Sequence, residues 1–295
     1  MKLSSLAILF MSANAALPAY AATKDDFTTG AEGVRIHYLE AGAASAPHTL
    51  LLVPGWRISV VIWSKQLEYF SAHGYRVVAI DSRSQGSSSL RSSHNAPEDR
   101  AADIQQVIAN LQLTHLVLVG WSQGSQDVAA YVQRFGTTAV ERFVLVDSPV
   151  SGGPGDFTDK PALIKAIVQG MAMYAHDPRA FSDGMMQRII SAPHSAQMYA
   201  RLTQASLLTP TDTGISMQVQ DFFTTDRRPT LAAFDKPVLV VASAESPLLE
   251  AQKSMAAAVP HGQFVSIEHA AHAVFFDQPD EFNRRLDEFV TGRGR

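Results

Sequence analysis

Short apolar runs and helical patterns alternate along most of the chain. The apolar runs, typical of strands buried on both faces of a sheet, cover 49–53, 76–80, 116–119, 143–146, 237–242 and 263–267. Segments with helical spacing lie between or after them, at 60–73, 97–111, 122–135, 247–259 and 279–290. One more strand pattern, at 34–39, alternates apolar and polar residues. This β-α-β repetition predicts the α/β class, with a mostly parallel central sheet and helices on both of its faces.

The strand pattern disappears between residues 148 and 235. Helical patterns rich in Met and Ala occupy 162–174, 179–190 and 196–208, and no strand alternation interrupts them. We therefore predict a helical cap over 148–235. It is inserted between the two parts of a single α/β core, which cover 22–147 and 236–295.

The first residues have the composition of an export signal. Lys2 precedes an apolar stretch at 3–11, and Ala19-Tyr20-Ala21 is an A-x-A-like cleavage site. We predict a cleaved signal peptide over 1–21, with Ala13-Asn14-Ala15 as a second cleavage site and an uncleaved anchor as the alternative. The apolar stretch is too short to span a bilayer, so the expected mature protein is bacterial, periplasmic or secreted, with no membrane anchor.

Composition and charge narrow the chemistry. The chain has 295 residues, 46% of them hydrophobic, which is enough apolar material for a large core. Lys and Arg number 24 against 28 Asp and Glu, without a basic block, so we expect no nucleic-acid partner. The absence of cysteine excludes disulfides, thiolate nucleophiles and cysteine-ligated metals. A nucleophile in this chain must therefore be a hydroxyl, a carboxylate, an amine or an imidazole.

A candidate nucleophile lies at the end of one apolar run. Gly120-Trp121-Ser122-Gln123-Gly124 is a G-x-S-x-G motif between a predicted strand and a predicted helix, the context in which this motif has meaning. Small residues on both sides allow a sharp turn that exposes the Ser122 hydroxyl. The hydroxyl also lies at a helix N-terminus, where developing negative charge is favoured.

Serine needs a base, and His272 is the best placed of the ten histidines. It follows the last predicted strand and precedes the last predicted helix, so it should reach the same edge of the sheet. His269 is the second choice. Together they form H-x-x-H, but with no acidic partner and no third ligand in the pattern we predict no metal site.

These segments, together with Val53-Pro54-Gly55-Trp56 and the turn at 81–88, resemble the α/β-hydrolase family over essentially all of the mature chain. Trp121 and the segment 131–136 are similar to its esterase and cofactor-free haloperoxidase branch. The resemblance implies that the backbone N–H groups of Trp56 and Gln123 form the oxyanion hole. It also implies that no metal, nucleotide or flavin cofactor is needed.

The triad acid departs from the family pattern. Most relatives carry Asp in the loop after the strand at 237–242, where this chain has Ser246. Glu245 lies one residue away from that position. Asp147, at the end of the strand at 143–146, lies where a minority of the family has its acid. We favour Asp147 and keep Glu245 as the alternative acid; the other interpretation of Asp147 is a structural residue at the entrance to the cap.

The expected function is cleavage of small or medium apolar carboxylic esters through Ser122, His272 and Asp147. The aromatic residues Trp56, Phe222 and Phe223 are expected near the mouth of the site. The position of an acid at Asp147 is also similar to that in the cofactor-independent quinolone dioxygenases of the same fold, which use the His-Asp pair as a base. An inactive binding protein is the third possibility. The expected partner is a small-molecule substrate, and the pattern specifies no oligomeric state.

Overall fold

The computed structural model describes residues 23–191 and 195–293, so the predicted signal peptide, 1–21, lies outside the described residues. An eight-stranded sheet forms the centre, with the strand order β1-β2-β4-β3-β5-β6-β7-β8. The strands are β1 Lys24–Thr29, β2 Arg35–Ala41, β3 Thr49–Val53, β4 Arg76–Ile80, β5 Leu116–Trp121, β6 Arg142–Val146, β7 Val238–Ser243 and β8 Gly262–Ile267. Pairing from β4 through β8 is parallel, and β1 and β2 join as an antiparallel edge. The predicted class and the mostly parallel sheet are confirmed.

Helices cover both faces of the sheet because alternate strand residues point to opposite sides. The helices outside the β6–β7 segment are α1 Ser64–Ala72, α2 Pro97–Asn110, α3 Gln123–Phe135, α9 Leu249–Ala258, α10 Val274–Asp277 and α11 Pro279–Thr291. On one face, Leu52 and Val119 pack with Phe70 of α1 and Phe282 of α11. On the other face, Leu51, Leu118 and Leu145 pack with side chains of α2, α3 and α9. The central strands are therefore buried on both sides, as their unbroken apolar runs predict.

The chain between β6 and β7 is helical. It contains α4 Asp156–Asp159, α5 Pro161–His176, α6 Pro178–Ile189, α7 Ala196–Ser206 and α8 Thr211–Phe223. Within the described part of this segment no strand joins the sheet. These helices lie over the carboxyl ends of the parallel strands, where Met185 and Phe222 reach the region of Ser122. We call α4–α8 the cap helices.

Three elements differ from the sequence pattern. The edge strand β1 was not predicted, because its sequence KDDFTT is largely polar and mostly exposed. The helix expected at 60–73 begins as a 3-10 turn, Val60–Trp63, before α1. The fourth long cap helix, α8, was also missed, since Thr211, Thr213 and Gly214 have low helix propensity.

Among the described helices, none is both long enough and apolar enough to cross a bilayer.

Candidate active site

The turn after β5 holds Ser122 in a strained conformation. Ser122 has φ 55° and ψ −115°, in the half of the map that non-glycine residues avoid, which costs about 1–3 kcal/mol. Both glycines of the motif are required because backbone atoms of neighbouring segments approach them closely. A Cβ on Gly120 would lie 2.3 Å from the carbonyl oxygen of Gly124, and one on Gly124 would lie 2.6 Å from that of Val53. The turn thus packs against β3 and presents the serine hydroxyl at the edge of the sheet.

The structure brings three of the predicted residues into one hydrogen-bonded line. The Nε2 atom of His272 lies 2.8 Å from the Ser122 hydroxyl oxygen, and its Nδ1 atom lies 2.8 Å from Oδ2 of Asp147. The carboxylate is 3% exposed, whereas the imidazole is 31% exposed and faces the pocket. This arrangement can accept the serine proton at Nε2 while the carboxylate stabilises the positive charge that forms on the ring.

Neighbouring groups fix the second oxygen of Asp147. Its Oδ1 accepts the backbone N–H of Ser243 at 2.9 Å and the side-chain amide of Gln252 at 3.0 Å. The same Gln252 amide donates to the hydroxyl of Ser246 at 3.2 Å. Ser246, which stands in place of the usual acid, therefore helps to hold the Gln252 amide that donates to Asp147.

The alternative acid and the alternative base lie elsewhere. Glu245 is exposed, and its Oε1 accepts the backbone N–H of His269 at 3.0 Å. Burial would raise the pKa of this carboxyl, but the hydrogen bonds from His269, Ser243 and neighbouring backbone outweigh it and hold the pKa below its ordinary value. The structure therefore places Glu245 against the backbone of the histidine loop, and it places Asp147 on the imidazole of His272.

Two backbone N–H groups beside Ser122 have no acceptor among the described residues. They belong to Trp56, in the turn after β3, and to Gln123, the first residue of α3. The first N–H groups of a helix lack an intrahelical partner and carry its positive dipole end. The predicted oxyanion residues therefore lie on both sides of the elbow with free donors.

A cavity of about 230 Å³ opens above Ser122. Its wall is mostly apolar and includes Trp56, Ile58, Trp121, Phe181, Met185, Ile189 and Phe222. The polar lining residues are Gln123, Gln126, Ser148, Gln218, Asp221 and His272, besides Ser122. Of the aromatic residues expected near the mouth, Trp56 and Phe222 line this cavity, whereas Phe223 packs on Phe157 at 5.0 Å between ring centroids. The volume lies just below the usual range of drug-sized sites, which fits a small ligand.

Two tryptophans shape the site in ways that the sequence did not reveal. The Trp121 indole donates to the backbone oxygen of His272 at 3.0 Å and so ties the histidine loop to the elbow. The Trp56 indole donates to the backbone oxygen of Gly214 in α8 at 2.9 Å and packs edge-on against Tyr174 of α5. The pocket wall is therefore bonded to the cap helices. No local motif encodes either contact.

The described ranges contain no group of three or more His, Asp or Glu side chains suited to a metal ion. His269 is exposed, with its backbone hydrogen-bonded to Glu245 and Gln278. The groups that the structure brings together at the turn after β5 are Ser122, His272 and Asp147, with the two free N–H groups beside them.

Comparison with known proteins finds a family match over most of the chain. The model of the alpha/beta hydrolase fold family matches residues 48–279. A non-heme haloperoxidase of Rhodococcus erythropolis is 35% identical over 120 residues, an alignment that covers 41% of this chain and 43% of the relative. An N-formylmaleamate deformylase of Pseudomonas putida is 29% identical over 266 residues, covering 88% of this chain and 94% of the relative.

Among solved structures, an esterase of Exiguobacterium antarcticum superposes with a TM-score of 0.79 at 19% identity. The match covers 90% of this chain and 98% of that one. At this identity the likeness concerns the fold alone. The family match over 48–279 includes the turn at Ser122.

Proposed function

Because the chain belongs to the α/β-hydrolase family, as the match over 48–279 shows, we propose that it hydrolyses small or medium apolar carboxylic esters through an acyl-enzyme. Ser122 is the nucleophile, His272 the general base and acid, and Asp147 the residue that orients and stabilises the imidazolium. The observation that carries this proposal is the hydrogen-bonded line itself, with 2.8 Å on each side of the imidazole.

The reaction proceeds in two halves. The Ser122 proton moves to Nε2 of His272 as the oxygen attacks the ester carbonyl, and the negative oxygen is stabilised by the N–H groups of Trp56 and Gln123. The tetrahedral intermediate collapses, and the leaving alcohol takes the proton from Nε2. Water then attacks the acyl group, with His272 again as base, and releases the acid and the free serine. Each preorganised N–H donor lowers the barrier by about 3 kcal/mol.

The cavity supports a compact, apolar substrate. It holds about 230 Å³ and its wall is formed largely by aromatic and aliphatic side chains of the core and of the cap helices. The relative named as an N-formylmaleamate deformylase acts, by its name, on a small molecule. We therefore place short acyl and aryl esters first in a substrate panel.

The test is covalent labelling by a fluorophosphonate, combined with an ester panel. The unmodified protein should be labelled once, and Ser122→Ala should lose the label and at least about 10⁴-fold of kcat/KM, because the nucleophile is gone. Ser254→Ala is the matched control, since Ser254 lies on α9 and donates only to the backbone of its own helix. Folded unmodified protein that takes no label would refute the mechanism.

The dioxygenase alternative has one observation in its favour, namely that the His272–Asp147 pair is complete without the serine. Such a pair could deprotonate a quinolone substrate, which would then react directly with oxygen. In the same experiment, Ser122→Ala should therefore be given a 3-hydroxyquinolone. Oxygen consumption that persists in this variant would replace the esterase proposal.

We also propose that residues 1–21 are removed during export, which would make the mature enzyme periplasmic or secreted. Lys2, the apolar stretch at 3–11 and the A-x-A-like site ending at Ala21 support this. Cleavage there leaves the sheet complete, because β1 begins at Lys24. N-terminal sequencing of the protein from the periplasm or medium should begin at Ala22. An intact Met1 on active protein in the cytoplasm would contradict it.

A further inference from the structure

A line of buried polar side chains runs behind the two free N–H groups. Gln85, in the turn after β4, is fully buried, and its Oε1 accepts the backbone N–H of Arg57. Its Nε2 donates to Oε1 of Gln123 at 2.8 Å, and Nε2 of Gln123 donates to Oδ2 of Asp221 at 2.6 Å. Because Arg57 follows Trp56 in the chain, the line joins both residues of the proposed oxyanion hole.

The two ends of this line fix the direction of both amides. A backbone N–H can only donate, so the oxygen of Gln85 must face Arg57; an ionised carboxylate can only accept, so the NH₂ group of Gln123 must face Asp221. The remaining NH₂ of Gln85 and the remaining oxygen of Gln123 then face each other. Each amide oxygen and each amide nitrogen in the line has a partner, and in a low-dielectric interior the bonds polarise one another in the same direction.

The cap helices close the far end of the line. Asp221 lies on α8 and is 2% exposed. Its Oδ1 accepts Nη2 of Arg100 on α2, and Nε of Arg100 donates to Asp127 of α3 at 2.8 Å. Asp127 lies one helical turn after Gln123 on the same helix. The line therefore returns to the helix that follows the nucleophile.

We propose that Gln85 is a positioning residue for the reaction: it holds the turn after β3 and the elbow after β5 at a fixed distance from each other. Asp221 connects cap helix α8 to these two turns. This inference rests on the proposed function. Arg57 has φ 59°, a left-handed conformation that a non-glycine residue keeps only when its surroundings hold it. Gln85 supplies the acceptor that holds its N–H. Loss of that bond should release the turn that presents the Trp56 donor.

The first experiment removes the bonds and keeps the volume. Gln85→Met should lower kcat by about 10- to 100-fold with KM nearly unchanged, because a misplaced donor weakens the transition state and not the bound ester. Affinity for n-butylboronic acid, whose serine adduct mimics the tetrahedral intermediate, should fall in parallel. Gln66→Met is the matched control: Gln66 is equally buried, donates to Phe275 and Asn283, and makes no hydrogen bond to either turn. It should lower the melting temperature and leave kcat unchanged.

The second experiment tests the direction of the amides. Gln85→Glu keeps the shape and the acceptor for Arg57 but removes the donor for Gln123. If the Gln123 amide turns over to donate to the new carboxylate, its oxygen then faces Asp221, so this single variant should also lose about 10- to 100-fold in kcat. In the double variant Gln85→Glu/Asp221→Asn the new amide donates to that oxygen, and the line is complete in the opposite direction. The double variant should recover at least about tenfold of the lost kcat.

The outcomes separate this inference from the proposed function. In protein that takes the fluorophosphonate label at Ser122, unchanged kcat and unchanged boronic-acid affinity in both Gln85 single variants would overturn the inference and leave the proposed function intact. A double variant with no recovery would overturn the directional network. Unmodified protein that takes no label and cleaves no ester would overturn the proposed function and this inference together.

Discussion

Both oxygens of the Asp147 carboxylate are hydrogen-bonded to neighbouring residues. One contacts His272, and the other accepts from Ser243 and Gln252. These bonds allow a single orientation, which in turn sets the position of the imidazole and the nitrogen that carries the proton. A neutral amide in this place would preserve the shape but would lose the charge that stabilises the imidazolium.

We therefore expect Asp147→Asn to lower kcat by about 10³- to 10⁴-fold, with little change in KM, because the loss concerns charge that develops only in the transition state. Steady-state kinetics on the best ester of the panel is the measurement. Circular dichroism and the melting temperature of the variant establish that it folds.

Glu245→Gln is the comparison for this variant. One oxygen of Glu245 accepts the N–H of His269, and the other contacts the hydroxyl of Ser243. In the glutamine the amide oxygen keeps the bond to His269, and the NH₂ group can donate to the Ser243 oxygen, whose own proton goes to the backbone oxygen of Ala270. Its kcat should therefore stay within about threefold of the unmodified value. Full activity in Asp147→Asn together with a large loss in Glu245→Gln would assign the acid to Glu245.

At the scale of the elements, the buried strands were the most predictable part of the fold. Each of β3 through β7 contains an unbroken run of at least four apolar residues, because a parallel strand covered on both faces has no polar side. The strand ends then predicted the site, since parallel strands present their carboxyl ends at one edge of the sheet. The G-x-S-x-G motif at such an end predicted Ser122, and the end of the last strand predicted His272. Asp147 was predicted from the family resemblance, with Ser246 in place of the usual acid.

Elements stabilised by tertiary contacts were not predictable in this way. Strand β1 is polar and forms because β2 offers an open edge. Helix α8 has poor helix formers in its first turns, and its buried residues Met217 and Asp221 face the core. Missing α8 also concealed Asp221 and hence the network through Gln85. A glutamine in a turn carries no sequence signal, because its role depends on partners far away in the chain.

At the scale of the whole molecule, stability comes from two apolar clusters, one on each face of the sheet, and from buried charged groups that connect distant elements. Arg83 binds Asp103 through two hydrogen bonds of 2.6 and 2.7 Å. Asp81 accepts the N–H groups of Val60 and Ser87 and also contacts His37 of β2. The chain has no cysteine, so no disulfide supplements these contacts.

His37 gives the stability of the whole molecule a measurable pH dependence. Burial disfavours the charged ring, but Asp81 at 2.7 Å and Asp25 at 2.9 Å outweigh it, so the pKa of His37 is raised above 6.5. Arg201 of α7 lines the same cleft. A group whose pKa is raised in the folded state contributes its full stabilisation below its unfolded-state pKa. This stabilisation is lost as pH rises through the folded-state pKa. The free energy of unfolding should therefore fall as pH rises from about 6.5 through the raised pKa of His37, and His37→Gln should flatten that fall.

The matched control is a histidine with the opposite shift. Burial, with the charge of Arg142, lowers the pKa of His48 below 6.5, so its contribution is complete above pH 6.5 and is lost as pH falls below it. His48→Gln should thus change the pH dependence of the unfolding free energy on the acid side only and leave the slope above pH 6.5 as it is in the unmodified protein. Urea unfolding at a series of pH values measures both. If the slope above pH 6.5 survives in His37→Gln, the proton that links stability to pH is bound elsewhere, and the Asp25–His37–Asp81 contact is not its source.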